Sequence, residues 1–202
     1  MERRTRGLGA RHEARRQEIA DAVLAIVAER GLPAVSLTEV AARAGVSAGR
    51  VQHYFPSKQR LIEAAFDRGN ELSSARVRAL AGQDLDSAEP RAVLTAVLTE
   101  LIAGDAESRA HLRVRQSFTA LALADDAIAD RMRAEYARFH RQIADLLIKD
   151  RDAGLIRAGT DPEILAVDLV AHAEGLAYYV LVGITDPATA RARVLSAIAA
   201  LY

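Results

Sequence analysis

Apolar residues along this chain return every three or four positions, and no stretch alternates with the period of two that a half-buried strand requires. Ile19, Val23, Ile26 and Val27, with Arg30, trace one face of a helix that ends at Gly31. Ser36 opens a second, short helix. Glu39 follows it at capping-box spacing, in which each side chain can satisfy an orphan backbone donor of the other residue. This helix ends at Gly45, where a residue at ease in the left-handed conformation suits a C-terminal cap. Ser47 caps a third, very short helix that Pro56 stops, and Ser57 starts a fourth that runs to about residue 81.

The remainder predicts longer helices over roughly 88–103, 106–123, 126–153, 162–183 and 187–201, separated by "GQDLDSAEP", "AGTDP" and "TDP". Ile128, Met132, Tyr136, Phe139, Ile143 and Leu147 form a core seam on the long one. The pattern predicts an all-α fold of about nine helices. Three small N-terminal helices containing a helix-turn-helix precede a larger C-terminal helical bundle. The expected division of labour falls at residue 58, giving 1–58 and 59–202. No internal repeat and no low-complexity linker interrupts the chain.

With 202 residues, half of them hydrophobic, the chain can bury one or two real cores. It has no cysteine, which excludes disulfides and thiolate metal sites. The basic N-terminus "MERRTRGLGARHEARRQ" is followed by no apolar signal-peptide core, and the longest uninterrupted apolar run, 175–184, is too short for a bilayer. A soluble cytoplasmic protein with no membrane partner is expected. Net charge is zero, but residues 1–60 hold 11 Lys and Arg against 6 Asp and Glu, and the rest holds 16 against 21. A basic head on an acidic body suits a protein of which one module meets a polyanion. Arginine outnumbers lysine by 25 to 2, which reads as genomic base composition before function.

The third helix gives that head its chemistry. On a wheel of about 100° per residue, Ala48, Val51 and Phe55 share a narrow apolar arc. Gly49, Arg50, His53 and Tyr54 lie opposite, with Gln52 at a margin. Arg can bond guanine in two places and Gln can do the same to adenine in the DNA major groove. Ser and Tyr hydroxyls, Lys58 and helix N-terminal amides can hold phosphates, and Gly49 permits a close approach. The bland alternative, a solvated polar face, is opposed jointly by the turn spacing, the basic head and the glycine.

The stretch "SLTEVAARAGVSAGRVQHYFPSKQRLIEAAF", residues 36–66, resembles the DNA-binding region of TetR-family transcriptional regulators. The shared pattern is an Ala-Gly-Val-Ser turn, then Gly, an aliphatic residue, aromatic or His residues, Phe, and a Lys three positions on. The resemblance covers roughly residues 12–70; beyond residue 70 it is architectural only. It implies that Ser47, Ala48, Gly49, Arg50, Gln52, His53 and Tyr54 sit on a recognition helix. Lys58 and Thr38 would touch the DNA backbone. Gln52 stands where the family often has Tyr, so hydrogen bonding replaces stacking or a tyrosine contact there, and Val51 replaces the more usual Leu. Arg3, Arg4, Arg6, Arg11, Arg15 and Arg16 are candidates for phosphates or a minor groove, or form a frayed solvated tail.

One such motif reads only a few base pairs, so a homodimer on a two-fold, palindromic operator is expected. The helix over 162–183 is apolar nearly all round and needs a cover beyond its own domain. Leu169, Gly175, Leu176 and Val180, with Val194, Leu195 and Ile198 of the last helix, are the expected seam. The resemblance implies a four-helix dimer interface there; the alternative is a monomer with a buried central helix. His111, Arg115, Phe118, Tyr136, Phe139, His140, His172 and Tyr179 are polar or aromatic residues set in apolar helices. They are the candidates to line an effector pocket. Asp168 and His172 can instead pair with each other at i,i+4.

No nucleophile elbow, Walker loop, HExxH or dinucleotide glycine loop is present, and "DLD" at 84–86 and "DRD" at 150–152 lack the rest of a calcium loop. Neither an enzyme nor a cofactor is implied. The resulting expectation is a DNA-binding transcriptional regulator located with the nucleoid, a repressor released by an unidentified small molecule. An activator, or a constitutive DNA-binding protein without an inducer, is the alternative.

Overall fold

The computed structural model describes residues 2–81, 88–156, 159 and 161–202; of residues 2–10 and 81 it describes the backbone alone. Among the described residues the chain is helical throughout, without a strand. The elements are α1 (Glu2–Arg30), a 3-10 turn (Leu32–Ala34), α2 (Leu37–Arg43), α3 (Ala48–Tyr54) and α4 (Lys58–Ala81). They continue with α5 (Pro90–Glu100), α6 (Ala106–Ala122), α7 (Asp126–Asp152), α8 (Pro162–Leu181) and α9 (Pro187–Ala199). The breaks before α7, α8 and α9 follow one rule. Asp125, Asp161 and Asp186 accept backbone N–H groups of the first turn at 2.9–3.3 Å, and Pro162 and Pro187 occupy the first helical position. The punctuation "GQDLDSAEP", with its "DLD", and "AGTDP" fall wholly or partly outside the described residues.

Two compact units form. The first comprises Met1–Leu72 and Asp105–Ala120. Ile19, Val23, Ile26 and Val27 are fully buried, as their spacing requires, while Arg30 at the end of that face is exposed and ion-paired to Glu39. Phe66 of α4 stacks on Phe118 of α6, with centroids 4.3 Å apart and planes 7° from parallel. Next to this stack, His111 lies 3.1 Å from the Asn70 side chain, and a Cβ on Gly69 would collide with the imidazole. Arg113 of α6 donates to the Val27 carbonyl of α1 at 3.4 Å. The unit that carries the helix-turn-helix thus runs past residue 58 and takes in α6, which closes its core.

The second unit comprises Ser73–Gly104 and Leu121–Tyr202. In the α7 seam Ile128, Ile143 and Leu147 are buried, and Met132, Tyr136 and Phe139 half-buried. Leu94, Leu98 and Ile102 of the α5 region and Ile198 of α9 complete the fully enclosed large side chains. Arg91 lies over the Tyr202 ring, 4.2 Å from its centroid, and the Tyr202 hydroxyl donates to the buried Asp150 carboxylate. Partial burial first, and this bond second, hold the phenol well above its usual pKa.

Helix α8 divides its apolar ring in two. Ala166, Leu169, Val170, Ala173, Leu176, Ala177 and Val180 are buried within the unit, while Ile164, Val167, Tyr178, Tyr179 and Val182 are 45–63 % exposed. By length and composition alone α8 would also suffice to cross a membrane, a property the ten-residue uninterrupted run in the sequence concealed. Here one face is used up by packing on α7 and α9.

Replacing Phe118 by Ala removes a fully buried stacked ring and is expected to cost about 3–5 kcal/mol in urea unfolding. Leu123→Ala, at a side chain 86 % exposed, should change stability by about 0.5 kcal/mol or less. A Phe118 effect no larger than that of Leu123 would remove the stack from the core.

Candidate nucleic-acid interface

The turn that presents α3 is built from backbone bonds the sequence prefigures. Ser36 accepts the Glu39 N–H at 3.2 Å, the first half of the expected capping box. The second half does not form, because the Glu39 carboxylate is taken by Arg30. At the other end of α2, Gly45 has φ 64°, its N–H reaches Ala42 O, and Val46 N–H reaches Ala41 O at 3.0 Å. This is the paired closure that needs a left-handed residue after the helix. Ser47 then caps α3 through the Arg50 N–H at 3.2 Å, and Ser57 caps α4 through the Arg60 N–H at 3.2 Å.

Val51 and Phe55, one turn apart, are the buried anchors of α3. Ala48, placed with them on the wheel, is exposed instead. At the first position of a two-turn helix it lies beyond the patch the anchors cover, which leaves it on the outer face with its neighbours. Thr38, Ser47, Gly49, Arg50, Gln52, His53 and Lys58 are exposed as expected, and among the described residues nothing beyond its chain neighbours and the backbone of α3 lies within 4 Å of a Cβ built on Gly49. Tyr54 is half-buried. Its ring packs against His12 of α1, with centroids 4.7 Å apart, and against His53 at 5.5 Å.

Ion pairing sorts the basic residues of the head. Arg43 bonds Glu29 at 2.9 and 2.5 Å, which raises the Arg43 pKa and lowers that of Glu29, the hydrogen bond being the main cause for each. Arg15 pairs with Glu18, and Arg68 with Asp21 and Glu71. Arg16, expected to reach toward DNA, turns inward. It sits 4.7 Å over the Phe55 ring, donates to the Tyr54 carbonyl at 3.4 Å, and lies 4.0 Å from Glu13. The guanidinium thus caps the C-terminal end of α3, where backbone carbonyls carry partial negative charge. Among the described residues Arg11, Arg50 and Lys58 have no carboxylate partner. The side chains of Arg3, Arg4 and Arg6 lie outside the described residues.

The candidate pocket residues are divided between the two units. His111, Arg115 and Phe118 belong to the first unit, and Tyr136, Phe139, His140, His172 and Tyr179 to the second. Within the latter, Tyr136 donates to Glu174 at 2.6 Å and its ring lies 5.7 Å from that of His140. His172 and Tyr179 are exposed on α8, and Asp168 and His172 form no ion pair. An open cleft of about 470 Å³, lined by Leu80, Glu89, Arg91, Thr95 and Thr99 among others, includes none of these residues. Of the expected dimer seam, Leu169, Leu176, Val180, Val194 and Ile198 are buried within the chain's own unit. Gly175 and Leu195 are exposed.

Two sequence profiles match the chain. That of bacterial regulatory proteins of the TetR family covers residues 19–65, and that of the C-terminal region of BetI-type transcriptional repressors covers residues 90–202. The chain belongs to the TetR family. Its body carries more than the architectural likeness visible in the sequence. The chain is 28 % identical over 170 residues to the regulator PksA of Bacillus subtilis, covering 84 % of this chain and 80 % of that one. It is 42 % identical over 92 residues to BetI of Burkholderia mallei, covering 44 % of this chain and 46 % of BetI. A TetR-family regulator from Rhodococcus sp. superposes with a TM-score of 0.76 at 28 % identity, covering 93 % and 97 % of the two chains.

This TetR-family member is thus a helix-turn-helix transcriptional regulator and not an enzyme. What sequence reading missed at its α3 face is the contribution of α1. His12 and Arg16 lie four residues apart, and that helical spacing was the available signal.

Arg50→Ala is expected to weaken binding to a selected operator by about 1–3 kcal/mol and to relax preference at one base pair. Lys58→Ala should weaken every duplex alike and flatten the plot of log affinity against log salt by about one unit. Gel-shift titrations across salt concentrations and base substitutions separate the two; neither change appearing would displace this face from DNA.

Proposed function

We propose that this protein is a repressor that binds a palindromic operator as a homodimer and releases it when a small molecule occupies the body. The observation that carries the DNA reading is the outward face of α3. Arg50, Gln52 and His53 are exposed there with Gly49 unobstructed, and unpaired Lys58 follows at the start of α4. Arg50 and Gln52 take base edges; Ser47, Tyr54, Lys58 and Thr38 hold phosphates. The BetI-type match over 90–202 supports the repressing sign.

A two-turn helix covers too few base pairs for genomic specificity, so two heads are required. The surface for pairing is the outer face of α8 with α9, where Ile164, Val167, Tyr178, Val182 and Leu195 are exposed and Gly175 leaves open space for a close crossing. An exposed apolar face of this kind suits a second copy of the same face about a two-fold axis. Residues expected at the seam but buried here, such as Leu169 and Val194, back the face from beneath.

The effector site is the least constrained element. Tyr136, His140 and Glu174 offer a half-buried mix of aromatic and polar groups on α7 and α8. An effector regulates only through a preference for the dimer form whose two recognition helices no longer match successive major grooves. Acting on the chromosome, the protein works in the cytoplasm at the nucleoid.

Selection of bound duplexes from a random pool tests the reading, with a two-fold symmetric winner expected; no enrichment over background refutes it. Light scattering at micromolar concentration is expected to give a dimer. Val167→Glu would bury a charge at the seam and shift that dimer to monomer, lowering operator affinity by roughly tenfold or more. A monomer in the unsubstituted protein refutes the paired arrangement.

A further inference from the structure

Three rings meet at the end of the recognition helix. Tyr54 is flanked by His53, its neighbour on α3, and by His12, which reaches it from α1. Arg16, one turn beyond His12, fixes the crossing of the two helices through the Tyr54 carbonyl and the Phe55 ring. His12 and His53 both remain exposed. The result is a ledge that continues the reading face onto α1 and carries two imidazoles.

The ionisable groups around the ledge come from three helices. On α1 they are Arg11, Glu13, Arg15 and Arg16; on α3 they are Arg50 and Tyr54; Lys58 lies at the start of α4. Histidine is the residue type whose ordinary charge change falls between about pH 5 and pH 8. Glu13 is drawn to Arg16 and Arg15 to Glu18. The other three histidines of the chain, His111, His140 and His172, lie on α6, α7 and α8.

We infer that His12 is a DNA-contacting residue outside the helix-turn-helix, and that with His53 it couples operator affinity to pH through proton uptake at the phosphate backbone. The inference rests on the DNA-reading role of the α3 face and deepens it. A phosphate beside an imidazole favours the charged ring, so its pKa rises in the complex. Binding then takes up protons, and affinity is gained as pH falls through the bound and then the free pKa. Above both values the rings are neutral and the gain is absent. Each unit of rise in one ring corresponds to about tenfold in affinity when fully expressed. Each ring charged in the complex also steepens the salt dependence by about one unit.

The test uses fluorescence anisotropy of a random-sequence duplex with the full chain, between about pH 8 and about pH 6 at fixed salt. His12→Phe keeps a ring against Tyr54 but cannot take a proton; His53→Phe is its counterpart. The unsubstituted protein should gain at least about tenfold in affinity as pH falls. The ratio of the His12→Phe dissociation constant to that of the unsubstituted protein should grow by about tenfold over the same range, and the double variant should show no remaining gain. His12→Gln, polar and uncharged, should behave as His12→Phe does if loss of charge rather than of packing is responsible. A ratio that stays constant with pH, or a salt slope identical at both ends of the range, overturns the role of His12. Tight binding without pH dependence overturns this inference alone, whereas absence of DNA binding at every pH overturns the reading on which it rests.

Discussion

A helix of seven residues cannot hold itself together in water, because nucleation costs more than so few internal hydrogen bonds return. Everything that makes α3 usable follows from supplying that stability from outside. Val51 and Phe55 anchor it, Ser47 satisfies its first turn, and the Arg16 guanidinium satisfies its last while covering the Phe55 ring. The polar side chains are then spared from structural work. Arg50, Gln52 and His53 stand exposed on the outer face, His53 with its ring beside that of Tyr54. A longer helix would have needed more apolar anchors and had less of its circumference to present.

The same economy governs charge. The head is basic by count, but most of its arginines with described side chains are engaged locally, Arg43 on Glu29 and Arg30 on Glu39 among them, as is Arg68 of the same unit on Asp21. Exposed pairs of this sort contribute little stability; what they do is tie the end of α1 to α2 and α1 to α4. Among the described residues the head's cations left without a carboxylate, Arg50 and Lys58, are at the two ends of the α3–α4 corner, with Arg11 on α1.

Much of the fold was legible before any coordinates. Helix boundaries agree to within a few residues, because Ser36, Ser47, Ser57, Asp125, Asp161, Asp186 and their neighbouring Gly and Pro residues act through local backbone chemistry. So was the outer face of α3, apart from Ala48. Which apolar residues of α8 and α9 are enclosed was not legible: Leu169 and Val194 are buried in their own unit, while Val167, Tyr178 and Leu195 of the same helices are exposed. His111 and Phe118 pack beside Asn70 and Phe66 of α4, contacts that residue type alone does not announce.

The sequence by itself determined the helical class, the turn around Gly45, the caps and the family of the reading head, since each depends on residues within about one helical turn of one another. Tertiary structure alone decided which half of the apolar α8 ring faces inward, which arginines are spent on Glu and Asp, and that His12 and Arg16 complete the end of α3. These are choices among chemically similar residues, made by contacts across tens of positions. Periodicity marks a face as apolar or polar, but only packing says what that face meets.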